Sequence, residues 1–237
     1  MRRLLYLLLL LCMVPAGAAE TAAVNPDPWE GFNRKIFTFD MQLDRYVLKP
    51  AAIGYRKVTP GWGKKLVRNF FSNLKDVSSG VNALLQWRPK QAGSNFSRVL
   101  LNTTLGVGGL FDVASDANLV SYRQDFGLTL ARWGFDSGPY LVLPFLGPST
   151  VRDTVGWGPD LYIWPPHYLR DDYIAYAEDA LYAVSTRAEL LDLEKGIVGD
   201  KYIFVRNYYL QSRALAAGKK VVDDFGAGSD AAGDDGW

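Results

Sequence analysis

Asp27-Pro28-Trp29-Glu30 reads as the start of a helix, with Asp27 as N-cap, Pro28 at the first helical position and Glu30 completing a capping box. Trp29, Phe32, Ile36, Phe39, Leu43 and Tyr46 follow at spacings of three and four, the period of one helical face, up to Pro50. One buried face is expected, although Phe37, Met41 and Val47 spread the apolar surface wider than one neighbouring helix covers. The signal recurs at Thr59-Pro60, after which Leu66, Phe70, Leu74, Val77, Val81 and Leu84 keep helical spacing through Trp87. Asn95 to Leu105 gives a third helix, ended by Gly106-Val107-Gly108-Gly109, and Ser121 to Trp133 a fourth, with Gly134 just past its C-cap. Asp171 to Leu191 and Lys201 to Ala217 complete the set, the last closed by Gly218. No extended stretch alternates with period two between hairpin dipeptides, so the chain is expected to be all-α. The same absence argues against a transmembrane barrel, which needs many alternating segments of about 10 residues.

The first residues, MRRLLYLLLLLCMVPAGAAE, have the order of a secretory signal: Arg2 and Arg3, an apolar run from Leu4 to Val14, and the small-x-small site Ala16-Gly17-Ala18. Residues 1–18 are read as the signal peptide, 19–218 as the folded domain and 219–237, rich in Gly, Ala and Asp, as a disordered acidic tail. Cys12 offers a second reading, as a lipidated lipoprotein cysteine, but Leu9, Leu10 and Leu11 stand where such a site takes small residues. With cleavage after Ala18 the mature chain carries no Cys, and so no disulfide, thiol nucleophile or Cys-ligated metal. The longest apolar run beyond the signal, Tyr140 to Leu146, is broken by Pro144 and far shorter than the roughly 20 residues of a spanning helix. Any membrane contact therefore falls to helices lying in or against the bilayer.

With Arg2 and Arg3 removed, the 26 basic residues fall to 24 against 25 acidic ones, which leaves no field to draw in nucleic acid. Aromatic residues make up 14% of the chain, with seven Trp and thirteen Tyr, rings suited to surfaces where one end is apolar and the other wet.

Catalytic signals are missing from the pattern. The single histidine, His167, sits in Trp164-Pro165-Pro166-His167-Tyr168 without a nucleophile signature nearby, and reads as a surface residue. There is no G-x-S-x-G elbow, no P-loop and no metal-ligand spacing, and Gly106-Val107-Gly108-Gly109 reads as an interhelical turn. Neither an enzymatic activity, a cofactor nor a metal is expected. Gly134 to Pro148 differs in kind: glycines and prolines punctuate a strongly apolar stretch that cannot be one helix. It reads either as a core-crossing loop or as an element lining the path of an acyl chain, with Gly134 and Gly138 allowing it to move.

DPWEGFNRKIFTFD, LLNTTLGVGGLFDVAS, FGLTLARWG, SGPYLVLPFLGPSTVRD and TRAELLD, in this order and spacing, resemble the MlaA (VacJ) family of outer-membrane phospholipid-transport lipoproteins over about Asn25 to Arg213. The resemblance implies a single ring-like helical domain whose amphipathic helices lie in the membrane plane without a transmembrane span, pierced by an amphipathic channel. It implies removal of mislocalised phospholipid from the outer leaflet, delivery to a periplasmic carrier, and residence beside a trimeric porin. A porin-associated structural protein that conducts no lipid is the alternative, separable by co-purified lipid and transfer to a carrier. Gly134, Gly138 and Pro139 match the family's hinge beside a gating loop, where Gly134→Pro is expected to stiffen the motion. Phe126, Trp133, Tyr140, Leu143 and Phe145 are candidate apolar contacts along the lipid path, and Arg34, Arg152 and Arg187 candidate partners for headgroup phosphate, with ordinary surface or intramolecular ion pairs as their alternative. The family's members are lipoproteins, which the surroundings of Cys12 do not match.

Overall fold

The computed structural model describes residues 25–168 and 172–218, and Cys12, the leader 1–18, the tail 219–237 and the side chain of His167 lie outside the described set. Helix α1 (Glu30–Leu43) runs through a widened π-helical turn, Asp44–Leu48, into α2 (Lys49–Val58). Pro50 was expected to end this helix. Instead it occupies the second position of α2, directly after the π turn; the wider turn makes room for a ring that would otherwise press on the preceding carbonyl. Then come α3 (Gly61–Leu85), α4 (Pro89–Thr104), a single turn α5 (Val113–Asp116) and α6 (Phe126–Arg132). Helices α7 (Val151–Ile163), α8 (Asp172–Leu190) and α9 (Lys201–Ala216) complete the helical part, with short 3-10 turns at Pro165–Tyr168 and Leu193–Gly196. The segment read as an irregular apolar loop contains an antiparallel hairpin, β1 (Tyr140–Leu143) on β2 (Gly147–Thr150), in the register Tyr140 to Thr150 and Leu143 to Gly147. Four residues per strand are too few for a period-two signal to stand out.

Helix α3 packs along α4, α6 on α7, α2 on α8, and β1 on α1. Asp27 joins the two ends of the domain, and it does not act as the predicted N-cap. Its buried carboxylate accepts from Asn33 Nδ2 at 2.8 Å, from Arg206 Nη1 at 3.2 Å and from the Tyr202 hydroxyl, tying the start of α1 to α9. Asn33, fully buried, also donates to the Tyr140 carbonyl and accepts from the Val142 N–H, so the hairpin hangs on the same junction.

The predicted helical faces are present, but the fully buried positions lie beside the apolar stripes rather than on them. Trp29, Phe32, Phe39 and Tyr46 of the first stripe are exposed and Ile36 and Leu43 half-buried, while Asn33, at the edge of that stripe, is buried. In α3 the apolar stripe is half-buried or exposed, and Asn69, Asn73, Asp76, Ser79, Asn82 and Ala83 face inward. Among the described residues fifteen polar or charged side chains are buried against eleven apolar ones, while 37 large apolar residues are exposed. The conventional apolar packing is small: Ala52, Ala188 and Leu191 form one cluster, Tyr140, Val142 and Tyr202 another. Periodicity identifies a helix without saying which face turns inward. In water the apolar face is driven in; in hydrocarbon that drive vanishes, and polar groups find each other instead.

Candidate functional site

The inward stripe of α3, Asn69-Asn73-Asp76-Gly80-Ala83, meets that of α4, Ala92-Asn95-Arg98-Asn102, again at three- and four-residue spacing. Both stripes hold the irregular segment between α4 and α6 through its backbone. Asn69 Nδ2 donates to the Leu110 carbonyl at 3.0 Å, and Asn95 exchanges a pair of 2.9 Å hydrogen bonds with the Tyr122 backbone. Asn102 accepts from the Ala114 N–H at 2.8 Å. Arg98, 3% exposed, reaches Asp76 at 2.9 Å, Asp112 at 2.9 Å and the Leu119 carbonyl at 2.7 Å. An irregular backbone away from water needs partners of this kind, since each unpaired buried group costs about 1–3 kcal/mol.

Next to this seam the same polar helix borders an open cavity of about 500 Å³ between α3, α5 and α8. Lys65, Arg68, Lys75 and Arg123 line it, with Asn69, Ser72, Ser115, Ser185 and Thr186, the carboxylates Asp112, Asp116 and Glu189, and the rings of Phe71 and Tyr182. Arg68 approaches Glu189 at 3.8 Å, and Arg123 is fixed by Ser72 and by Asp76 at 3.4 Å. Lys75 instead sits 4.6 Å over the Tyr182 ring, which packs on Phe71 with centroids 5.0 Å apart. The wall is thus cationic and aromatic together, able to meet a phosphate and the apolar matter beside it. None of these cations stood out in the sequence; for Lys65, Arg68 and Lys75 the signal available was their position opposite the apolar stripe of α3.

The sequence profile of the MlaA lipoprotein family matches residues 25–216. The chain belongs to the MlaA lipoprotein family. The intermembrane phospholipid transport system lipoprotein MlaA of Escherichia coli is 37% identical over 205 residues, covering 81% of this chain and 78% of that protein. Its namesake in Haemophilus influenzae is 33% identical over 192 residues, covering 78% and 77%. An uncharacterized Rickettsia typhi protein is 48% identical over 127 residues, and there the match spans about half the length of each. A solved structure, reported as the structural basis for maintenance of bacterial outer membrane lipid asymmetry, superposes with a TM-score of 0.71 at 38% identity. That likeness covers 81% of this chain and 98% of the solved one.

The residues to which the MlaA resemblance points do not share one wall. Tyr140 belongs to the core: it is fully buried among Tyr202 and Tyr209, and burial followed by the charge of Asp27 pushes its hydroxyl up to about 12. Phe126 and Trp133 form an edge-to-face pair, 5.6 Å between centroids, on α6, and Phe145 projects from the hairpin tip. Leu143 lines a smaller cavity of about 300 Å³ with Leu146, Trp157, Asp160, Tyr209 and Arg213. Burial in this region pushes the Asp160 carboxyl up to about 6, against the opposing hydrogen bonds from the Phe126 N–H and Asn82. The three arginines assigned to headgroups are engaged within the MlaA fold. Arg34 pairs with Glu30 and Asp200, Arg152 with Asp153, and Arg187 with Asp44 and Glu194.

Gly134 and Gly138 both lie in the left-handed region, at φ 97° and 66°. Gly134 ends α6, where Phe135 N–H returns to the Leu130 carbonyl at 3.0 Å. Proline, fixed near −65°, cannot adopt that φ, so Gly134→Pro breaks the helix end and is no test of stiffness. Ser137 and Pro139 accept from the Arg152 and Val151 N–H groups, both at 3.1 Å, which straps the segment to the start of α7.

Proposed function

We infer that this chain is the outer-membrane component of an intermembrane phospholipid transport system, which removes mislocalised phospholipid from the outer leaflet and so maintains lipid asymmetry. The inverted burial carries this reading: large apolar side chains cover the outside while polar and charged ones fill the inside. A body of this kind rests among acyl chains, its helices in the membrane plane, and no described helix is long and apolar enough to cross a membrane. The junction of α1 with α9 and the packing of α2 and α3 on α8 are consistent with a closed ring. A phosphate in hydrocarbon costs several kcal/mol, and the cavity bordered by Lys65, Arg68, Lys75 and Arg123 offers it a polar route.

In this reading Gly134, Gly138 and Pro139 form the hinge of the gating segment, supported by the two left-handed glycines before the hairpin. A trimeric porin occupies part of the apolar exterior, and a periplasmic carrier protein receives the lipid. The chain itself performs no chemistry on it. The test is reconstitution of the full chain in vesicles of fluorescent phospholipid, with the carrier outside. Transfer should be faster with the protein than without it, and slower by about tenfold in Lys65→Glu with Lys75→Glu. Transfer at the protein-free rate with wild-type protein would contradict the reading.

A further inference from the structure

A second cavity, of about 420 Å³, opens where the end of α1 and the start of α2 meet the Leu193–Gly196 turn and α9. It shares no residue with the passage. Glu194 is its centre. Glu194 Oε1 accepts from Lys49 Nζ and from Lys201 Nζ, each at 3.2 Å, so the two ammonium groups lie no farther apart than twice that distance. Glu194 Oε2 accepts from Arg187 at 2.6 Å, and Arg187 gives Nε and Nη2 to the two oxygens of Asp44 at 2.6 and 2.9 Å.

The charges do not balance. Arg187 and Asp44 neutralise each other in a fork, which leaves one carboxylate for two lysines, and Arg45 adds a further cation to the wall. Each ammonium has three donors. Lys49 spends its contacts on the two Glu194 oxygens and Lys201 on one, while both side chains stay 38% and 45% exposed. Phe37 and Met41 of α1 supply an apolar wall beside them. This lining suits a compact anion with several oxygens, attached to something apolar.

We propose that this cavity binds the phosphate of an anionic phospholipid, held between Lys49 and Lys201 with the start of its acyl chains against Phe37 and Met41. The site is separate from the passage and does not depend on the transport reading. It would fix one lipid at the junction of α1, α2 and α9. Free phosphate shares the chemistry, and the apolar wall favours the lipid.

The full chain in an uncharged detergent is titrated calorimetrically with dihexanoyl phosphatidylglycerol, dihexanoyl phosphatidylcholine and inorganic phosphate. Phosphatidylglycerol should bind about tenfold more tightly than phosphatidylcholine or phosphate, and Lys49→Gln with Lys201→Gln should weaken it about tenfold. Lys49→Arg with Lys201→Arg should restore binding, and Lys90→Gln, an exposed lysine that lines neither cavity, should leave it unchanged. Arg45→Gln, at an exposed side chain, is the second variant if the double glutamine variant does not fold; it should weaken binding about threefold. Wild-type affinity in a folded Lys49→Gln, Lys201→Gln protein would overturn the proposal. Phosphate binding as tightly as the short-chain lipid would overturn the lipid as the source.

Discussion

Phe145, at the hairpin tip, donates its backbone N–H to Asp40 Oδ1 of α1 at 2.8 Å, and its ring stands edge-on to Phe39 with centroids 5.4 Å apart. Phe145 holds a left-handed φ of 67°, a conformation that a non-glycine residue keeps only when neighbours over-determine it. The Asp40 latch is one such neighbour. Asp40→Ala removes the acceptor and should cost about 1 kcal/mol, with faster amide exchange across the hairpin. Unchanged exchange in that peptide would show that the tip is held from elsewhere.

Arg213 ties α9 to α6 and α7 by pairing with Asp125 and, at 2.8 Å, with the buried Asp153. Burial alone would raise the Asp153 carboxyl, but Arg213, Tyr209 and Arg152 hold it below the usual carboxylate range. Arg213→Met leaves that carboxylate unpaired and should cost about 3 kcal/mol at neutral pH. The folded pKa is depressed, so the stabilisation is present above the unfolded value and lost as pH falls through the folded one. The gap between variant and wild type, read by chemical denaturation, should therefore narrow as pH falls through the acidic range, once the unpaired carboxylate of the variant takes up its proton. A gap independent of pH would assign the loss to packing.

Asp160 has the opposite sign. Its pKa of about 6 lies above the ordinary value of 3.8, so the folded state binds the proton more tightly than the unfolded chain. That contribution is complete below the unfolded pKa and disappears as pH rises through about 6. Asp160→Asn, which stays neutral, should gain stability relative to wild type between pH 4 and pH 7. Parallel profiles for the two proteins across that range would contradict the shift.

Gly156 of α7 lies against Gly127 of α6 so closely that an added Cβ would stand 2.5 Å from the Gly127 nitrogen and 2.8 Å from its Cα. The obstacle is backbone, which cannot swing aside as a side chain does. Gly156→Ala should therefore cost about 1–3 kcal/mol, measured as a lower unfolding midpoint, whereas Gly158→Ala, with nothing within 4 Å, should not. Equal midpoints for the two would show that α6 and α7 separate easily.

Helix positions were legible because the spacing of Trp29 to Tyr46 and of Leu66 to Leu84 is a local property. Which face turned inward was not, since that depends on the surrounding medium as well as the chain. Asn69, Asn73 and Asn82 look like solvent-facing residues until their partners Leu110, Thr103 and Asp160, far along the sequence, are placed beside them. The glycines of the 134–139 segment were legible for a related reason: positive φ leaves a residue-type signature. The sequence left Arg34, Arg152 and Arg187 open between headgroup and ion pair because a basic residue is the same letter whether it waits for a ligand or pairs with Asp200, Asp153 or Asp44. Asp27 failed as a cap for the same reason, its partners Tyr202 and Arg206 lying at the other end of the domain.

The apolar exterior is tested most directly by tryptophan fluorescence of the full chain reconstituted in vesicles whose phospholipids are brominated along the acyl chain. Trp29, Trp62, Trp87 and Trp133 are all exposed. If that outside rests in hydrocarbon, acyl bromine should quench most of the emission and aqueous iodide little of it. Emission indifferent to brominated lipid but readily quenched by iodide would place these rings in water and contradict the account.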